Sequence, residues 1–287
     1  VKVVLFCGGH GMRMRDGGSS VPKPMVMIGG RPLIWHVMRW YAHHGHTEFV
    51  LCLGYGAGFI KDYFLHYEET ASNDFVLRGG REVDLLSSDL TDWTITFVDT
   101  GLNSSIGERL RRVRHLVEGD EYFLANYADV LSDVPLPDVV ATFLAGDATA
   151  SLTAVPPQSS FHVLDIGEDD RVSGLQPVSR FPIWENGGFF VFRPELFDAL
   201  LPGEDLVDGA LARLAAAGKL AAYRHAGFWV PADTVKEHAQ LEELYQSGRR
   251  PWAVWEPSAA ATPEAGTRTV TDVDRTPSAL DGALDRI

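Results

Sequence analysis

The first fifty residues confine this chain more tightly than any other stretch. Val1 to Cys7 (VKVVLFC) is a short, β-branched and almost wholly apolar run that ends on Gly8-Gly9. That is the pattern of a strand buried on both faces and feeding a glycine turn. From Pro32 to His44, residues Leu33, Ile34, Val37, Met38 and Tyr41 recur at helical spacing, with Pro32 at the start and Gly45 just past the end. Phe49 to Gly54 (FVLCLG) is a second buried strand. Strand, helix, strand in this order is a βαβ unit, which predicts a parallel sheet with right-handed crossovers.

The remainder extends the same theme. Trp93 to Asp99 alternates polar and apolar as a half-exposed strand does, Glu108 to Val117 reads as a helix, and Tyr122 to Asn126 (YFLAN) as another buried strand running up to Asp129. Pro135 to Gly146 is a helix bounded by Pro and Gly, and Ala150 to Val155 a strand. After Pro156-Pro157 the pattern turns β-like, with Phe161 to Ile166 and Gly187 to Phe192, before helices at Leu206 to Ala217 and from Thr234 to Gly248. Thr234 and Glu237 have the spacing of a capping box. The chain divides into a domain over 1–256, with parts at about 1–155 and 156–256. Residues 257–287, rich in Ala, Thr, Pro, Asp and Ser, lack the apolar surface to offset chain entropy and read as a disordered tail.

Composition removes several functions. With 25 Lys plus Arg against 39 Asp plus Glu, the formal charge of −14 argues against a nucleic-acid binder and against docking on an anionic membrane. A local cluster of cations can still bind phosphate. Cys7 and Cys52 lie in apolar runs without a CxxC pair, poor material for a disulfide framework or a zinc site. No uninterrupted apolar run reaches about 18 residues, and no basic segment with a cleavage site opens the sequence. A cytoplasmic protein is the expectation.

Three places could carry chemistry. The first is Gly8-Gly9-His10-Gly11-Met12-Arg13, followed ten residues later by Pro22-Lys23-Pro24. Glycines after a strand let backbone N–H groups approach an anion at the carboxyl edge of a parallel sheet. The dinucleotide fingerprint fails at Met14, and no Gly-Lys-Ser/Thr follows. A glycine loop with Arg13 and a proline-framed Lys23 suits a triphosphate cradle; a glycine turn beside two surface cations is the plain alternative. The second is Asp129, placed after a strand where a carboxylate can hold Mg²⁺, or simply a turn residue. The third is Asp233 ahead of the capped helix, a metal ligand or merely an acid favoured by the helix dipole. His43, His44 and His46 match no standard zinc spacing, and no Gly-x-Ser-x-Gly elbow occurs.

Together these pieces resemble the sugar-nucleotide pyrophosphorylases, and most closely their glucose-1-phosphate cytidylyltransferase branch. The matching stretches are GGHGMR, PKPMVMIGGRPLIWHVMRWYAHHGHTEFVLCLGYG, VDTG, GERLRRV, ENGGFFVF, GFWVPADT and PWAVWE, in order over residues 1–256. The resemblance implies an α/β, Rossmann-like, mixed and mostly parallel sheet with flanking helices and a smaller β-rich sugar-binding lobe. It implies transfer of a nucleotidyl group from an NTP, CTP foremost, to a sugar 1-phosphate, glucose 1-phosphate foremost, with release of pyrophosphate and with Mg²⁺ as cofactor. Residue by residue, Gly8, Gly9, Gly11 and Arg13 match the triphosphate loop and Lys23 the phosphate contact at the reacting centre, so that Arg13 and Lys23 are the catalytic pair. Thr100, Gly101, Arg109 and Tyr127 match positions near the nucleotide. Asp129 and Asp233 match the two Mg²⁺ carboxylates, and Asn186 and Gly187 the sugar-contacting stretch. A homo-oligomer is implied too, and the aromatics around Trp252 and Trp255 are compatible with an interface.

Three departures fall beside the metal or on the acceptor side. The family's Tyr-Gly-Asp-Gly reads Tyr127-Ala128-Asp129-Val130, its Gln-Glu-Lys-Pro reads Gln176-Pro177-Val178-Ser179, and an arginine before its Phe-Gly is Ser160. The lost lysine leaves Arg180 as the candidate for the sugar phosphate. These changes keep two alternatives open: the same chemistry on GTP or UTP and an unusual sugar 1-phosphate, and a non-catalytic nucleotide-binding homologue.

Overall fold

The computed structural model of the chain describes residues 1–9, 21–71, 73–90, 92–158 and 161–256. Gly11, Arg13, Ser160 and the segment 257–287 therefore lie outside the described residues. Residues 1–255 form one compact unit.

The βαβ unit is present where the apolar pattern puts it. Strand β1 (Val3–Phe6) is followed by helix α1 (Leu33–His43) and strand β2 (Glu48–Leu53). The strands pair in parallel from Val3 opposite Phe49 to Phe6 opposite Cys52. Strand β3 (Thr94–Asp99) lies parallel outside β2, and β4 (Phe123–Tyr127) lies parallel on the other flank of β1. Beyond β4 come β5 (Ala150–Val155), the short β6 (Glu185–Asn186), β7 (Phe190–Phe192) and β8 (Leu220–Arg224). Strand β7 is antiparallel to both β4 and β5, β6 is antiparallel to β5, and β8 is parallel to β5. Among the described residues this is one eight-stranded sheet. All strands but β6 and β7 run the same way, so their carboxyl ends gather along one edge, where ligands of such sheets bind.

Alternation along the strands explains why β1, β2 and β4 read as continuous apolar runs. Val3, Leu5, Leu51, Leu53 and Leu124 pack on one face with Leu33, Val37 and Tyr41 of α1, while Val4, Phe6, Val50, Phe123 and Ala125 pack on the other with Leu110, Leu206 and Leu211. A sheet covered on both sides needs apolar residues at every position.

Several elements differ from the sequence expectation. Strand β8, which the apolar pattern does not mark, joins the main sheet with β6 and β7, and the hairpin of His162–Ile166 with Val172–Pro177 is a separate two-stranded ribbon. Helix α2 (Ala57–Leu65) and the hairpin Phe75–Arg78 with Glu82–Leu85 carry no clear periodic signal, because α2 buries only Ile60 and the hairpin is largely exposed. The span from Leu206 starts as a π-helical turn to Leu211, capped by the Asp205 carboxylate, which accepts from Val207 N at 2.8 Å, and becomes α-helical at Ala212.

Trp252 is packed inside the chain itself. It is 1% exposed, its ring lies 5.6 Å from that of Phe228, and its indole N–H donates to His36 Nδ1 at 3.4 Å. Burial holds the His36 pKa down at about 4, which keeps that ring neutral and able to accept. Replacing so large a buried ring leaves a void, so Trp252→Ala is expected to lose about 3–5 kcal/mol in denaturant unfolding.

Candidate active site

Two acids a hundred residues apart are brought together by main-chain pairing. Asp129 lies two residues past the end of β4 and leads into Val130–Ser132, which pairs antiparallel with Trp229–Pro231, Val130 opposite Pro231. At the end of this ribbon Ala232 N donates to the Asp129 carbonyl at 2.9 Å, so Asp233 emerges beside Asp129. Helix α3 (Val235–Gln246) then starts from the expected capping box, with Thr234 accepting from Glu237 N, and Glu237 Oε2 also accepts from Asp233 N at 2.9 Å. The departures Ala128 and Val130 are compatible with this path. Neither has positive φ, and both side chains are buried, so this backbone does not call for glycine there.

Lys23 joins the two acids. It opens a single 3₁₀ turn, Lys23–Met25, closed by Val26 N donating to Lys23 O at 3.0 Å and anchored by the buried Pro24 and Met25. Its ammonium forms an ion pair with Asp233 and sits 3.7 Å from Asp129 Oδ2. Burial, with Asp233 adding to it, pushes the Asp129 carboxyl up to about 6 even though Lys23 pulls the other way.

Above this centre is a cavity of about 150 Å³ lined by Phe6, Cys7, Gly8, Gly9, Lys23, Pro24, Ile106, Tyr127 and Asp129. The Tyr127 hydroxyl accepts from Asn186 Nδ2 at 3.3 Å, and Asn186 Oδ1 accepts from Gly188 N at 3.0 Å. Gly187 is tied to the ribbon that carries the two acids, its carbonyl accepting from the Trp229 indole at 2.8 Å. Gly8, Gly9, Lys23, Tyr127, Asp129, Asp233, Asn186 and Gly187 thus form one continuous constellation. Arg180 is not part of it: it is exposed at the end of the turn Val178–Arg180, outside the cavity.

Thr100 and Arg109 lie behind the glycines rather than in the cavity. Both are buried. One arm of Arg109 donates to Leu53 O at 3.0 Å and to Thr100 Oγ1 at 2.8 Å, the other to Leu102 O at 3.3 Å, and Thr100 donates to Leu53 O at 2.8 Å. A Cβ added at Gly8 would stand 2.3 Å from the guanidinium and one at Gly54 2.7 Å. The guanidinium thus fills the space beside both glycines, and a side chain at either position would have to displace it from its carbonyl partners. Gly101, with φ +89°, lies instead in an open cavity of about 590 Å³ with Ser104, Glu108, Arg111 and Arg112.

The sequence reading also missed the anchor of the ribbon. Asp133 Oδ1 accepts from Phe228 N at 2.8 Å and lies 2.8 Å from His225 Nε2, while Ser132 Oγ donates to Phe228 O at 2.7 Å. These contacts clamp the end of the ribbon away from the two acids. Asp133→Ala is expected to lower unfolding free energy by about 1–3 kcal/mol, read as a downward shift in melting temperature. No spacing rule flags a residue whose partner is 92 positions away.

The donor set suits a hard divalent cation. Among the described residues Asp129 and Asp233 bring two carboxylates together and no group of three or more His, Cys, Asp and Glu converges, a donor set that suits an ion completing its shell with water and phosphate oxygens. Mg²⁺ is commonly held in this way.

A parallel sheet with a glycine turn, a lysine and two aspartates at its carboxyl edge defines a protein that handles nucleotide phosphates, and the chain belongs to the nucleotidyl transferase family, whose profile matches residues 2–230. It is 36% identical over 257 residues to a probable glucose-1-phosphate cytidylyltransferase of Bacillus subtilis, covering 89% of this chain and all of that protein. The same identity holds over 258 residues with the glucose-1-phosphate cytidylyltransferase of Salmonella typhimurium, again over 89% of this chain and all of the relative. Among solved structures, a UDP-glucose pyrophosphorylase from Acinetobacter baumannii superposes with a TM-score of 0.62 at 19% identity, over 85% of this chain and 92% of that one. HddC from Yersinia pseudotuberculosis superposes with a TM-score of 0.60 at 17% identity, over 85% and 99%. These two likenesses establish the shared fold.

Proposed function

We propose that this enzyme makes a nucleoside diphosphate sugar and pyrophosphate from CTP and glucose 1-phosphate, with Mg²⁺ as cofactor. The observation that carries the reading is the meeting of Lys23, Asp129 and Asp233 beneath the Gly8-Gly9 turn. In the reaction a phosphate oxygen of the sugar 1-phosphate forms a bond to the α-phosphorus of the nucleotide, and the bond from that phosphorus to the pyrophosphate oxygen breaks. No protein nucleophile is required; catalysis lies in placement and charge neutralisation. Lys23 supplies a movable positive charge to the phosphates, and Gly8 and Gly9 allow the backbone to approach them. Asp129 and Asp233 are the residues that would hold Mg²⁺, which draws negative charge off the phosphate oxygens when bound. Asn186, fixed by Tyr127 and Gly188, and Gly187 face the acceptor side.

The relatives named as glucose-1-phosphate cytidylyltransferases support CTP and glucose 1-phosphate. A changed acceptor is the second reading, favoured by Val178 and Ser179 where the family has its lysine and proline. Incubation with Mg²⁺, each of four NTPs and a panel of sugar 1-phosphates separates the two. CDP-glucose and pyrophosphate are expected from CTP with glucose 1-phosphate. Preference for another sugar selects the second reading, and no pyrophosphate from any pair removes both.

A further inference from the structure

We propose that Lys23 is the resident counter-ion of the Asp129–Asp233 pair, and that the divalent metal gains this site only when nucleotide phosphates draw the ammonium away. The inference rests on the reading above and adds an order of events to it. Its basis is geometry. One ammonium contacts Asp233 and stands 3.7 Å from Asp129 Oδ2, and so fills the space where a cation shared by both carboxylates would sit. Mg²⁺ binds carboxylate oxygens at about 2.0–2.1 Å. An ammonium still seated on the same oxygens would then lie within a few ångströms of a dication, and like charges at that range repel strongly in a partly buried site.

The surroundings allow the exchange. Pro22 and Pro24 fix the backbone on either side of Lys23, and Pro24 is buried, so the anchor stays in place. The four-carbon stem carries a point charge with three rotatable donors. Lys23 also lines the 150 Å³ cavity under Gly8 and Gly9, so its Nζ can leave the carboxylates for phosphate oxygens by side-chain rotation. Phosphate arriving in the cavity gives the ammonium a new anionic partner and gives the metal its missing oxygen ligands. Without nucleotide neither is present, and the lysine keeps the pair neutralised.

The test is Mn²⁺ binding by EDTA-stripped protein, followed by electron paramagnetic resonance and calorimetry without substrates. The parent is expected to bind Mn²⁺ weakly alone and at least about tenfold more tightly with CTP present. Lys23→Met, which keeps the length of the side chain and removes its charge, is expected to bind Mn²⁺ alone at least about tenfold more tightly than the parent. Lys23→Arg, which keeps the charge, should stay near the parent value. A Lys23→Met protein that binds Mn²⁺ no more tightly than the parent overturns the exchange. Should that variant not fold, as judged by circular dichroism, Lys23→Gln is measured in its place, and Mn²⁺ affinity no tighter than the parent's overturns the proposal. Turnover is scored separately, because loss of the exchange with turnover intact leaves the functional reading standing, whereas absence of turnover on every substrate pair removes the reading itself.

Discussion

Lys23→Met is expected to reduce kcat/KM for pyrophosphate release by about 10²–10³, the range found when one preorganised charge-stabilising group is removed from a reacting centre. Among the described residues, Lys23 is the cation that lines the cavity, so no lysine or arginine described there stands ready to replace it. The loss should fall mainly on kcat, because charge on the phosphate oxygens grows toward the transition state and an interaction that strengthens there lowers the barrier. Lys23→Arg should recover only part of the rate: the guanidinium keeps the charge that neutralises the two acids, but its planar fork meets the reacting phosphate oxygens differently from a compact ammonium. Unchanged turnover in Lys23→Met would remove the lysine from the mechanism.

The second large effect concerns Asp129, with activity and stability moving in opposite directions. Folding raises the Asp129 pKa from 3.8 to about 6, so the folded chain binds this proton more tightly than the unfolded chain. The group's contribution to stability is complete below about pH 4 and is lost as pH rises through about 6. By pH 8 an ionised Asp129 opposes folding by on the order of 1–3 kcal/mol. Asp129→Asn should therefore abolish turnover, because an amide is a poor ligand for a hard dication, while raising the melting temperature of metal-free protein at pH 8. At pH 4 the variant and the parent should melt together. A variant that melts lower than the parent at pH 8 would contradict the assignment of this carboxylate as a destabilising group kept for chemistry.

Much of the fold can be read from periodicity because β1, β2 and β4 are buried on both faces and each helix against them needs one apolar side. Ala150 to Val155 and the capping box at Thr234 coincide with observed elements for the same local reasons. What escaped is what local pattern does not encode. Strand β8 reads LAAYR and is only half covered, so its neighbour in the sheet, not its own composition, makes it a strand. The same holds for the site. Lys23, Asp129 and Asp233 stand out in the sequence by their flanking prolines, strand end and helix cap, yet their convergence depends on a ribbon between residues about a hundred positions apart. Arg109 matches a nucleotide position by resemblance, and the structure buries it against backbone carbonyls behind Gly8. A guanidinium looks the same in a sequence whether it faces a phosphate or a carbonyl.

The ribbon between Val130–Ser132 and Trp229–Pro231 also sets when the centre can exist during synthesis. Chains emerge from the ribosome amino end first, and domains generally fold as units. The nascent first half can assemble the early parallel strands and present Lys23 with Asp129. Its second acid is supplied only after residue 233 has emerged and Ala232 has bonded back to Asp129. A truncated translation product, however well folded, therefore carries only one of the two acids, and their pairing arrives in a single late step of chain closure.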